Sequence, residues 1–166
     1  ALTTVLGIGI SRGERMDYAI QKSTELGVSA IVPLFTEHCE VKLQGERLDK
    51  RQSHWQQVAI SACEQSGRVK VPLVLAPVAL TEWLPTVATS LRLVLDHEES
   101  GVLSGPRPDA GVTLLIGPEG GLAPAEITQA KTCGFTGIAL GNRVLRTETA
   151  PVAALSVLQY LWGNSP

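Results

Sequence analysis

Two short segments near the C-terminal end gather the residue types that can do chemistry. Gly117, Pro118, Glu119, Gly120 and Gly121 follow the apolar run Val112 to Ile116, and Gly141 through Ala150, which includes Arg143, Leu145, Arg146, Thr147, Glu148 and Thr149, follow the run Gly137 to Leu140. A carboxylate such as Glu119 or Glu148 can take a proton once burial lifts its pKa towards neutrality, and the Arg146 guanidinium can stabilise negative charge as it develops. Glycines let backbone groups approach a flat ligand such as adenine, with Leu140, Leu145 and Ala150 as apolar walls. The first turn of a helix starting at Pro124 can receive a carboxylate. Glu148 also stands just before a helix, where the helix dipole stabilises a negative charge whether or not it does chemistry. Neither segment carries the Lys-Ser or Lys-Thr of a phosphate-binding loop. Taken singly, such loops are often ordinary turns with solvent-facing charges; two of them, with three charged residues crowded between a strand and a buried helix, point to a site.

These segments need elements to hold them. Apolar, β-branched runs alternate with helical patterns along the chain, which predicts parallel βαβ units and the α/β class. Strands are predicted at Leu2 to Ile10, Ala30 to Phe35, Leu73 to Ala76, Leu91 to Asp96, Val112 to Ile116 and Gly137 to Leu140. Met16, Ala19, Ile20, Ser23 and Leu26 make a helical stripe that stops at Gly27, and Leu48, Trp55, Val58, Ala59 and Ala62 make another that stops at Gly67. A short helix around Thr81 to Thr89 is weakened by Pro85, and another spans Pro124 to Cys133 before Gly134. From Val152 to Trp162 the last helix is apolar nearly all round, so one core face does not account for it; a thick core or a second subunit must. Ser100 to Gly111, rich in Gly, Pro and Ser, reads as a surface loop. Ligands in such sheets bind at the carboxyl ends of the strands, where both chemical segments fall.

A competing nucleotide site must be weighed. Gly7, Gly9 and Gly13 precede a helix, with Glu37 at a plausible distance for a ribose contact, but the spacing is GxGxxxG, and Gly7 and Gly9 lie inside the apolar run. Glycines that let a neighbour approach the strand explain them better. The open alternatives are another nucleotide-using enzyme built on this region, such as a dehydrogenase or a class I methyltransferase, and an RNA-binding module without catalysis.

The 166 residues, 44% of them hydrophobic, suit one domain with a substantial core. With 14 basic and 16 acidic side chains and a net charge of -2, the chain does not grip nucleic acid by overall charge, so any such grip is local. Its 3 cysteines lack CxxC spacing, which disfavours a disulfide framework and a zinc site and fits the reducing cytoplasm. No run reaches membrane-spanning length, and Leu2 to Ile10 lacks the basic lead-in of a signal peptide.

LLIGPEGGLAPAEI and LGNRVLRTETAPVAALSVLQYLWG resemble the RsmE-like ribosomal RNA uridine methyltransferases of the SPOUT superfamily. RMDYAIQKSTELGVSAIVPL and ACEQSGR agree upstream, so the resemblance covers nearly the whole chain. It implies a SPOUT-type α/β knot, with a parallel sheet flanked by helices and a deep trefoil at the C-terminal end, and a homodimer formed about that knot. It implies S-adenosylmethionine as methyl donor, N3 of a uridine in small-subunit ribosomal RNA as acceptor, and no metal. Residues 1–166 then form the catalytic domain, and the family's small N-terminal RNA-binding β-barrel is expected to lie outside them. On this basis Leu95, Ile116, Gly117, Pro118, Gly120, Leu140, Gly141, Leu145, Arg146, Thr149 and Ala150 are expected at the cofactor, and Arg146, Glu119 and Glu148 at the reacting atoms. Arg15, Tyr18, Lys22 and Glu25 form one polar stripe on the first helix. Its null alternative is a solvated face with a Lys22 to Glu25 pair; the resemblance favours RNA contacts at Arg15 and Lys22, joined by Gln65, Arg68 and Arg143. One departure is TEHCEV, Thr36 to Val41, where His38 and Cys39 stand in place of the family's usual arginine.

Overall fold

The computed structural model describes residues 1–99, 101, 103–141 and 143–163; Ser100 and Asn142, named in the loops above, lie outside them. The elements run β1 (Thr4–Gly9), α1 (Gly13–Glu25), β2 (Ala30–Phe35), α2 (Gly45–Ser66), β3 (Leu73–Val74), β4 (Val78–Ala79) and α3 (Leu80–Trp83) with a 3-10 turn at Leu84–Thr86. They continue with β5 (Leu91–Leu95), β6 (Val112–Ile116), α4 (Pro124–Thr132), β7 (Thr136–Ile138) and α5 (Thr149–Trp162). The strands form one sheet in the order β3-β2-β1-β6-β5-β7, with β4 also on β2, and every pairing is parallel. A parallel sheet needs crossover helices, and these cover both faces, so its central strands are mostly apolar; all five residues of β6 are buried, Thr113 among them.

On one face Met16 and Ile20 of α1, Trp55 and Ala59 of α2, and Leu155 and Leu158 of α5 pack on Leu6, Ile8 and Leu114. On the other, Leu80, Trp83 and Ala130 of α3 and α4 pack with Phe135 on Val32, Leu34, Val94 and Leu115. Gly27 and Gly67, at φ +88° and +73°, take the left-handed turns that end α1 and α2. Between them Arg68 Nη1 donates to the carbonyls of Thr24 at 2.7 Å and Val28 at 3.1 Å, tying the end of α2 to the α1–β2 turn.

Gly7 and Gly9 do lie within β1, and each leaves room for a neighbour. A Cβ at Gly7 would overlap the Trp83 indole, and one at Gly9 would overlap the Pro118 ring and backbone nitrogen. The second contact seats the loop after β6 against β1. Helix α5 buries Ala150, Ala154, Leu155, Leu158 and Trp162, packs on α1, and leaves Tyr160 exposed on its other side. The chain's own core therefore satisfies one side of this helix. Several boundaries differ from the pattern: β1 starts at Thr4, β3 stops at Val74, the helix around Thr81 to Thr89 is Leu80–Trp83 with a 3-10 turn to Thr86, and β7 ends at Ile138, so Ala139 and Leu140 follow the strand; β4, only two residues long, is too short to show a period. Among the described residues no helix is long and apolar enough to cross a membrane.

Candidate active site

The carboxyl ends of β6, β5 and β7, adjacent in the sheet, open on a cleft of about 810 Å³. Ile116 leads into Gly117 and Pro118, and the chain doubles back at Gly121, whose N–H donates to the Pro118 carbonyl at 2.8 Å and whose φ is +77°. A Cβ at Gly117 would lie 2.9 Å from the Leu122 nitrogen, so this loop closes on itself because residue 117 has no side chain. The loop is braced from behind by Glu126, a buried residue in the first turn of α4. One of its carboxylate oxygens accepts from the Ala123 N–H at 2.9 Å, and the other accepts from the Glu37 N–H at 3.1 Å. His38 lies against Gly120, where a Cβ would come within 3.0 Å of its own, so the TEHCEV segment supports this loop. The Cys39 thiol is turned to the carbonyls of Ile10 and Val41, each at 3.4 Å.

The second segment crosses in front of the first. Gly141 turns the chain at φ +80°, and Thr147, buried, donates its hydroxyl to the Gly117 carbonyl at 2.9 Å. The N–H groups of Thr149 and Ala150 close the first turn of α5 on the Arg146 carbonyl, at 3.0 and 2.9 Å. The two segments thus form one wall, stitched by a buried hydrogen bond.

Charge is arranged unevenly across it. Arg15, reaching over from α1, binds the Glu119 carboxylate, and its Nε stands 3.5 Å from Glu148 Oε2. The Glu119 hydrogen bond, then its charge, hold the Arg15 pKa above its ordinary value, with Glu148 adding to the effect. Glu119 is 40% exposed and spoken for by Arg15, which differs from the apolar burial that its place in a glycine-rich loop suggested. Glu148 is 17% exposed, and its Oε2 is buried without a hydrogen-bond partner. Although it occupies the position before α5, its side chain makes no capping hydrogen bond there. Arg143 and Arg146 are exposed on the cleft wall and enter no ion pair among the described residues. Across the cleft, Lys131 lies 2.6 Å from Glu99 and 3.8 Å from the mostly buried Asp96; the Glu99 hydrogen bond raises the Lys131 pKa.

Of the residues expected at a cofactor, Leu95, Ile116, Gly117, Pro118, Gly120, Leu140, Leu145, Arg146 and Ala150 line this cleft, as do Glu119 and Glu148. Gly141 and Thr149 do not: the first shapes the turn, and the second is exposed at the start of α5. Arg15 and Arg143 also line it. Lys22, Gln65 and Arg68 lie at the C-terminal ends of α1 and α2, the far end of the sheet from the cleft, where Lys22 pairs with Glu25 at 3.2 Å and Arg68 is engaged with backbone. Sequence reasoning missed Asp96, His97 and Glu98, although they directly follow β5 and the strand-end rule points to them. It also missed Lys131, whose place on α4 has no sequence signature.

Comparison with known proteins agrees with this geometry. Residues 1–159 match the model of the family described as "RNA methyltransferase domain". The chain is 38% identical to the ribosomal RNA small subunit methyltransferase E of Buchnera aphidicola from Schizaphis graminum, over 96% of this chain and 65% of that protein. It is 34% identical to the protein of the same name from Bacillus subtilis, over 92% of this chain and 63% of the relative. The chain thus spans slightly less than two thirds of the length of these relatives. Among solved structures, the ribosomal RNA small subunit methyltransferase E of Neisseria gonorrhoeae, bound to S-adenosyl methionine, superposes with a TM-score of 0.89 at 43% identity, over 97% of this chain and 67% of that one. A putative methyltransferase from Legionella pneumophila, in complex with its bound cofactor SAM, gives the same TM-score and identity over 96% and 66%.

Proposed function

The chain belongs to the RNA methyltransferase domain family, and from that premise we propose that it transfers the methyl group of S-adenosylmethionine to N3 of a uridine in small-subunit ribosomal RNA. Residues 1–166 act as the catalytic domain, in the cytoplasm, as a homodimer. The observation that carries this reading is the stitched double-loop wall, which sets apolar surface, the acids Glu119 and Glu148, and two arginines with no ion pair among the described residues around one cleft.

The residues present fit the donor. A volume of about 810 Å³ lies in the usual range for a ligand of this size. Leu95, Ile116, Leu140, Leu145 and Ala150 would hold the adenine, with the backbone of Gly117 close by. When bound, S-adenosylmethionine supplies a methyl group that its sulfonium makes electrophilic. The chain must do the rest. The neutral N3 lone pair is delocalised into two carbonyls, so the imide proton must leave, or the anion must be stabilised as it forms. Arg146, exposed and without a counter-ion, donates to a uracil carbonyl oxygen and stabilises that charge. Glu148, whose Oε2 is buried without a hydrogen bond and lies 3.5 Å from Arg15 Nε, receives the proton. Glu119 is less suited to that task because Arg15 already holds it. Orientation in the cleft supplies much of the remaining rate.

The outer side of α5, where Val152, Ala153 and Val157 are half-buried and Tyr160 is exposed, supports an isologous dimer. Light scattering should then report about twice 17.6 kDa. Calorimetric titration with S-adenosylhomocysteine and with NAD separates the enzyme classes. Tight binding of the first alone supports the reading, and binding of NAD alone overturns it.

A further inference from the structure

A net charge of -2 means that RNA must be held by local clusters, and the structure shows where unpaired cations gather. Arg12, Arg15, Lys22 and Lys131 are in ion pairs, and Arg68 and Arg92 are bound to backbone carbonyls. Lys42, Arg47, Lys50 and Arg51 enter no ion pair among the described residues. They fall together, just before α2 and along its first two turns.

Within α2 the charges are sorted by side. Arg47, Lys50, Arg51 and His54 are spaced i, i+3, i+4 and i+7 and share one flank, whereas Asp49 and Gln56 fall on the opposite flank and Glu46 lies between the two, beside Lys50 on the solvent side. The contacts fix where each flank points. His54 Nε2 lies 2.9 Å from Asp17 of α1, so the basic flank faces α1. Gln56 bonds the Pro72 carbonyl and the Val74 N–H, so the other faces the sheet edge at β3. The pairing of His54 with Asp17 also sets the relative height of the helices. Gly45 is nine residues before His54, and Gly13 is four before Asp17. At about 1.5 Å per residue, α2 begins about 7 Å beyond the start of α1, on the cleft side of the sheet. The basic flank therefore overhangs the first turn of α1, from which Arg15 enters the cleft. Arg51, set 5.9 Å from the Trp55 ring, is partly ordered by that contact.

We propose that this flank of α2, with Lys42, is a phosphate-binding track that guides a single strand of RNA over α1 into the cleft, where Arg143 and Arg146 continue it. The proposal rests on the methyltransferase reading and adds a surface to it. A lone charged helix face is ordinarily just solvated. This one differs in setting four basic side chains on one flank with Asp49 on the other, and in having Lys42, Arg47, Lys50 and Arg51 unpaired among the described residues at the rim.

The test is the variant Lys42→Ala/Arg47→Ala/Lys50→Ala, whose changed side chains are exposed and make no ion pair. The control is Lys70→Ala/Arg107→Ala, at the end of the molecule where α2 and α5 finish. A uridine-containing single-stranded RNA is titrated over a range of monovalent salt by fluorescence anisotropy, alongside calorimetry with S-adenosylhomocysteine. Each lost phosphate contact lowers the slope of log K against log salt by about 0.7, so the rim variant should lose about 2 from its slope, the control nothing, and both should keep the parent's S-adenosylhomocysteine affinity. An unchanged slope in the rim variant overturns the track and leaves the methyltransferase reading standing. Equal losses in variant and control also overturn it, since total charge then suffices. A parent chain with no salt-dependent RNA binding defeats both.

Discussion

Replacing Thr147 by valine keeps the shape of a buried side chain and removes one donor. In the structure that hydroxyl, on a residue 8% exposed, bonds the Gly117 carbonyl at 2.9 Å, and it is the hydrogen bond joining the two loops of the cleft. Leaving the half-buried Gly117 carbonyl without its donor costs about 1–2 kcal/mol. For a chain of this size each kcal/mol lowers Tm by about 2–4 °C, so a loss of about 2 kcal/mol corresponds to a fall of about 4–8 °C. If the bond also holds the cleft in its binding shape, 1–2 kcal/mol of that cost reappears as a 5–30-fold weaker affinity for S-adenosylhomocysteine. Thermal unfolding and calorimetric titration of Thr147→Val beside Thr147→Ser give both numbers. Serine restores the hydroxyl and should recover most of the affinity. A valine variant that binds S-adenosylhomocysteine as tightly as the parent, whatever its Tm, refutes the idea that this bond organises the site.

Gly9→Ala and Gly7→Ala should each destabilise the fold by about 1–3 kcal/mol through overpacking, read by denaturant unfolding. Only Gly9→Ala should also weaken S-adenosylhomocysteine binding, because only Gly9 seats Pro118. Gly141→Val should weaken ligand binding through the strain of a branched residue at φ +80° rather than by filling the cleft, since a Cβ there meets nothing within 4 Å; unchanged affinity in a folded variant would remove Gly141 from the account. Arg146→Ala should lower the single-turnover methylation rate by more than it weakens RNA binding, because it acts on charge that appears in the transition state; equal losses would make it an anchor.

The parts of this fold that carry a period were legible in the sequence. The stripes of α1 and α2, their glycine stops, and the wholly buried β6 appear in the structure where their patterns placed them. The glycine-rich strand ends located the cleft because a parallel sheet has only one end at which such loops meet. Pair geometry was not legible. Nothing in the spacing of Arg15, Glu119 and Glu148 shows that an arginine on the first helix binds one acid and faces the other, because chain topology brings them together across more than a hundred residues. Burial was misjudged for the same reason. Glu119 and Glu148 look alike in sequence, and only the fold leaves one half-exposed in an ion pair and the other with a buried oxygen. Lys22, Gln65 and Arg68 lie on the same two helices as the cleft's neighbours, but helix direction carries them to the far end.

The central claim is the identity of the methylated atom. Small-subunit ribosomal RNA lacking the modification should be incubated with this chain and S-adenosylmethionine, digested to nucleosides, and analysed by chromatography with mass spectrometry. The account predicts that 3-methyluridine appears with the parent chain and is strongly reduced with Arg146→Ala. A methyl group on another atom or base, or none at all from a chain that binds S-adenosylhomocysteine and RNA, would contradict it.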